Sequence, residues 1–378
     1  SNTMGSYSNN STTFVVPEKI TGNFWMDPRC DYKGKLLGKG TLYVYAAGPR
    51  NTLSGDWSPF EGTVVAGQEQ RSTYGPSFDW NNNYGLPNAT LQVSKGTTFQ
   101  AGSRSMAIGH VKGEGVINTT GTLTIGALNE DMLKTTTLQI TNAKVRKVGS
   151  GIWTLTTANA QPNIGAVTIA GGELRLDDTS FKTLLLGTSG VTVTDSGLVQ
   201  GRGKLQSIVV NGGTLAPGTY FGNHYGAIKT EDNITLSKGK LELTISNNRN
   251  SGTSRSYLEV GGTLTLNDSV VVKLSDRYAP AVGDSIVLWT ANKFSGKPKV
   301  SLPALPDGMM WDSSALAAAN GVLKIAVNTG IYGVNADGTS RRLIFTLDGR
   351  RVNEDLNRLP AGVYVVKENG KTYKVNKQ

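Results

Sequence analysis

Two histidines, one cysteine and the adjacent acid pairs of the repeat region are the side chains here whose types carry chemistry. His110 and His224 stand far apart, and neither belongs to a His-Glu-x-x-His pattern or lies beside a cysteine cluster. Each reads as a surface or hydrogen-bonded histidine in a turn. Cys30 is the single cysteine, which excludes an intrachain disulfide and a cysteine-based zinc cluster, and it reads as a buried, inert thiol. The pairs Glu130-Asp131, Asp177-Asp178 and Glu231-Asp232 raise the question of polysaccharide chemistry. Hydrolysis there needs two carboxyl groups about 5–9.5 Å apart. Neighbours on a strand point to opposite faces, so these pairs read as solvated loop acids. The sequence holds no Gly-x-Ser-x-Gly elbow, and Gly370-Lys371-Thr372 lacks the first glycine of a phosphate loop because Val365 stands there. The expectation is a chain with no catalytic constellation, no cofactor and no metal.

The strongest candidate for ligand contact is aromatic. A polar, aromatic stretch between Gln68 and Asn88 reads as a loop and carries Tyr74, Trp80 and Tyr84, with Trp57 shortly before it. These rings could stack on sugars while Arg50, Arg71 and the run Asn81 to Asn83 donate hydrogen bonds, since aromatic surfaces flanked by polar groups suit such recognition. The same rings could instead cap an open end of the fold, or face an upstream domain. Glycans or other surface proteins are the partners that this reading implies.

The formal net charge is +10, from 38 basic and 28 acidic residues. The basic residues are dispersed, without a dense run interleaved with aromatics, so a nucleic-acid partner is not expected. No apolar stretch approaches the roughly 20 residues of a membrane-spanning helix. Ser1 to Thr13 are polar and read as a processed end or a cut within a longer chain, so the lack of a signal peptide does not argue for the cytosol.

The elements that must position these residues are short strands. A glycine turn followed by alternating apolar residues recurs, as in Thr120-Gly121-Thr122-Leu123-Thr124-Ile125, Gly171-Gly172-Glu173-Leu174-Arg175-Leu176 and Gly212-Gly213-Thr214-Leu215. From Gly96 to Gly121, and from Gly172 to Gly197, the step is about 25 residues, within the range of solenoid repeats. Alternation places Leu174 and Leu176 inward, with Glu173 and Arg175 outward. One such unit cannot shield its apolar face, so neighbours must stack about 4.8 Å apart. The 47 glycines punctuate strands rather than forming a low-complexity tract, and the one helical candidate, Ser314 to Ala319, is about a turn and a half long.

Three regions follow. Residues 1–94 are an aromatic-rich β region, the first coils or cap of a β-solenoid. Residues 95–328 carry the repeats and a closing segment. Residues 329–378 form a small antiparallel, β-sandwich-like unit, with Asn369-Gly370 as a hairpin turn.

The stretch from Lys147-Val148-Gly149-Ser150-Gly151-Ile152-Trp153-Thr154-Leu155 through Ala170-Gly171-Gly172-Glu173-Leu174-Arg175-Leu176 resembles the autotransporter-associated β-strand repeat of passenger domains. Asn211-Gly212-Gly213-Thr214-Leu215-Ala216-Pro217-Gly218 and Gly261-Gly262-Thr263-Leu264-Thr265-Leu266 fit the same family, as does the closing run Leu302 to Asp312 with Asn320 to Ile325. The resemblance covers about residues 145–327. It implies a right-handed parallel β-helix, exported to the cell surface or the medium. Where autotransporters end in a membrane barrel, the stretches Phe345 to Val352, Leu359 to Val366 and Gly370 to Val375 resemble the C-terminal sorting domain of type IX secretion substrates in Bacteroidetes. That implies export machinery as a partner of the tail. The expected function is a non-catalytic, exported cell-surface stalk or adhesin-like module. The alternative is a polysaccharide-binding module or a β-helix polysaccharide lyase or hydrolase.

Overall fold

Short alternating segments between glycine turns have too few consecutive helix formers to nucleate helices, and they form strands. The computed structural model of the chain describes residues 2–5, 8–47, 50–68, 78–132, 136–187, 189–218, 225–246, 255–328, 343–352, 356–368 and 371–377. Among them are strands, turns and two three-residue 3-10 helices, Thr157–Asn159 and Leu356–Arg358. Ser314 to Ala319 is turn rather than helix. Among the described residues, no helix is long and apolar enough to cross a membrane. The chain divides into two compact units, Ser1–Ala326 and Val327–Gln378.

In the first unit, strands from successive segments pair in parallel. Thr21–Met26, Thr41–Ala46, Thr63–Gln68 and Leu86–Val93 follow one another in a single ladder. Met106–Gly113, Thr122–Ile125, Lys144–Lys147, Val167–Ile169, Val191–Thr194 and Ile208–Pro217 continue it. Where the register is kept, like positions meet. Met106, Leu123, Val145, Val167, Val191, Ile208, Ile234 and Leu264 form one buried column, each paired with the next. Each such aliphatic side chain contributes on the order of 1.5–3 kcal/mol by leaving water. A second sheet of seven short parallel strands runs from Asn9–Asn10 to Gln139–Thr141. The two ladders share one apolar core.

Leu174 and Leu176 lie in that core, 0% and 1% exposed, as alternation requires. The corner at Gly201 shows why a glycine stands there. Its φ is +104°, and a Cβ would sit 2.0 Å from the carbonyl oxygen of Leu176. At the far end of this unit the pairing changes sense. Ser285–Ser295 is parallel to Ser256–Leu266 on one edge and antiparallel to Asn320–Val327 on the other. Trp289 is fully buried at this edge, and its indole N–H donates to the Ala318 carbonyl at 3.0 Å.

The second unit holds a four-stranded antiparallel sheet, with Leu343–Thr346 between Arg351–Val352 and Gly362–Glu368, and Lys371–Lys377 outermost. Its core is Ile344, Leu356, Leu359, Tyr364 and Val366. The described residues of this unit form one sheet; the second sheet of a sandwich is not among them.

Candidate functional site

The stretch read as an aromatic loop contains two strands, Phe78–Trp80 and Leu86–Val93. That changes where its rings point. Trp57 and Trp80 are buried, 0% and 2% exposed, and their rings meet edge to face at 5.6 Å with an angle of 88°. Trp57 also packs on Tyr32, and Trp80 on Phe99, so the interior holds a continuous aromatic row. Neither tryptophan offers a ring face to a sugar, which corrects the expectation of a stacking platform there. The cause is parity: Trp80 pairs with Leu53, and Leu53 with Tyr32, all on the buried side. Tyr84 is 57% exposed, its backbone N–H held by the Asn82 side chain, and Arg50 is an exposed residue at φ +61°. Tyr74 and Arg71 lie outside the described residues, as does His224. The structure thus separates Tyr84 from the two tryptophans by solvent exposure, and the described ones among the residues named assemble no stacking face.

Burial shapes the chemistry of this row. The Trp57 indole N–H donates to the Gly34 carbonyl at 3.3 Å, whereas that of Trp80 finds no acceptor. The Tyr32 hydroxyl donates to the Thr12 carbonyl at 2.5 Å and lies 3.2 Å from that of Lys35. Burial pushes its pKa up to about 12, against the stabilising backbone contact at Phe14.

The acid pairs are each used locally. Asp178 accepts from the backbone N–H groups of Ser180 and Phe181, and Asp131 from that of Ile152. Asp177 faces Arg202, Glu231 pairs with Lys204, and Asp232 accepts from the Gln206 amide. Among the described residues, no group of three His, Cys, Asp or Glu side chains converges in metal-binding geometry. Glu173, expected to point outward, is only 9% exposed and lies against the Arg175 guanidinium (2.5 and 2.9 Å) and the Gln200 amide (2.6 Å).

Two further buried titratable groups lie near the Glu130-Asp131 pair. Lys147 occupies a core column, paired with Ile125 on one side and Ile169 on the other, and is 2% exposed. Its ammonium donates to the Gly171 carbonyl at 3.0 Å and reaches those of Val148 and Gly149 at 3.3 and 3.5 Å. Burial pulls its pKa down to about 8, while the charges of Asp131 and Glu173 pull the other way. The signal was present in the sequence: Val145 faces inward, and period-two alternation carries Lys147 to the same side.

His110 is the second group. It lies in the strand Met106–Gly113 and is 4% exposed, which corrects the expectation of a surface or hydrogen-bonded histidine in a turn. Its Nε2 is 3.7 Å from a Glu130 carboxylate oxygen, and its Nδ1 has no partner.

On the outer surface, an open cleft of about 390 Å³ is lined by residues that include Glu242, Lys273, Asp276 and Arg277. Burial alone would raise the Glu242 carboxyl. Hydrogen bonds and charge from Lys273 and Lys240 outweigh that and hold it below its usual range. The cleft therefore presents paired charges rather than a poised acid. No protein-family model matches this chain, and no curated protein matches it either.

Proposed function

We propose that this chain is a right-handed parallel β-helix serving as a non-catalytic structural module, a stalk or adhesin-like segment on the outside of a cell. The observation that supports it best is the buried column from Met106 to Leu264, in which each residue pairs with the next through eight strands. A fold that repeats one packing solution extends in one direction and presents long faces. Outside the core, charge pairs link successive strands: Lys229 with Glu259 at 2.7 Å and Lys273 with Glu242 at 2.5 Å. Such exposed pairs set opposite charges of neighbouring strands against one another. The four-stranded tail is the proposed address for export.

The test is labelling of intact source cells with a membrane-impermeant biotin reagent. The chain should be labelled without lysis, and removal of residues 329–378 should abolish that labelling. Labelling only after lysis would overturn the surface assignment. Turnover of a polysaccharide by the purified chain, lost on substitution of one residue, would overturn the non-catalytic one.

A further inference from the structure

His110 sits beneath a turn that is tied down on two sides. The Leu128 N–H donates to the Gly109 carbonyl at 3.1 Å, and a Cβ on Gly109 would meet Leu128 Cγ at 2.7 Å, so this close crossing depends on glycine. On the other side, Ser150 N–H donates to the Asn129 side chain and Ile152 N–H to that of Asp131, both at 2.8 Å. We propose that the turn Gly126–Asp131 is an acid-released latch whose trigger is the buried, half-satisfied imidazole of His110.

The chemistry follows from the count of donors. A neutral imidazole carries one N–H, and with that proton on Nε2 facing Glu130 the ring leaves only an acceptor, Nδ1, without a partner. The protonated ring carries two N–H groups, and the second would be buried with no acceptor. Burial holds the imidazole below its ordinary value of 6.5; Glu130 and Asp131 favour the charged form and Lys112 opposes it. Thr90, the strand partner of His110, is uncharged. The closed turn therefore binds fewer protons than an open one in which the ring meets water. Its stability is fully present above the open-state value and is lost as pH falls below it.

The experiment is amide hydrogen exchange on the full chain at pH 7.5 and pH 5, corrected for intrinsic rates and read at residues 108–111 and 126–131. Opening should increase by up to about thirtyfold, the ceiling for 1.5 pH units below an open-state value of 6.5. The ladder at Val191, Ile208 and Ile234 should not respond. His110→Phe should abolish the response. Glu130→Gln, which removes the countercharge, should enlarge it and stands in if the first variant does not fold. Equal protection at the two pH values, an undiminished response in His110→Phe, or an unchanged or smaller one in Glu130→Gln would each overturn the latch.

Discussion

Lys147 sets the sharpest energetic question at the residue scale. Its stem fills a methylene-sized share of an aliphatic column, and its ammonium is held by backbone carbonyls rather than by a carboxylate. Lys147→Met keeps the volume and removes the buried charge, so we expect a change within about 1.5 kcal/mol. Lys147→Ala leaves a hole and should cost about 2–4 kcal/mol. The titration gives a second handle. The folded pKa near 8 lies below the ordinary lysine value of 10.5, so between these values the unfolded chain binds more protons and stability rises with pH. Urea midpoints measured from pH 7 to pH 10 should therefore climb in the wild type more than in Lys147→Met. Parallel curves would show that the buried ammonium is not linked to folding. Trp80 offers a companion case: its indole N–H is buried without an acceptor, and Trp80→Phe removes that group. We expect Trp80→Phe to stay within about 1.5 kcal/mol of the parent while Trp80→Ala loses about 3–5 kcal/mol. Equal losses from the two variants, by chemical denaturation, would count against an unsatisfied donor.

At the scale of the strand, parity decides what a substitution does. Thr192 and Val193 are adjacent, yet Val193 stands in a buried column between Ile169 and Val210 while Thr192 lies on the other face. Val193→Asp buries an unpaired charge and should cost about 3–5 kcal/mol, whereas Thr192→Asp should stay within about 0.5 kcal/mol. Similar unfolding midpoints for the two would sink the assignment of faces. This alternation was legible in the sequence around Leu174 and Leu176, because a run of four or five alternating residues between glycines leaves little freedom. It was not legible at Trp57 and Trp80. There the aromatic and polar composition suggested a loop, and only the pairing of Phe78–Trp80 with Asn51–Leu53 fixes which side the Trp80 ring occupies. His110 was missed for a related reason: Glu130 reaches it from a turn that Leu128 ties to Gly109, and local spacing does not reveal a turn that folds back over the preceding strand.

At the scale of the whole molecule, the two units carry separate cores of very different size. The first unit's core runs from Met4 to Leu323, and the core cluster of the second, among the described residues, joins only Ile344, Leu356, Leu359, Tyr364 and Val366. Small cores are marginal because burial scales with domain size, so the second unit should melt first. Its outermost strand, Lys371–Lys377, carries Lys371, Lys374 and Lys377, and charged residues on an edge strand discourage pairing with other chains. Val366 is 0% exposed and pairs with Ile344 across the sheet, so Val366→Asp should unfold this unit by placing a charge in its centre. Calorimetry of the full chain should then show the lower transition gone and the upper one unmoved. Trp289→Ala, at the antiparallel end of the first unit, should lower the upper transition and leave the lower one in place, with a cost of about 3–5 kcal/mol. A single transition that shifts as one under both substitutions would mean that the two cores fold as a single cooperative body, and the division at Ala326 would lose its thermodynamic meaning.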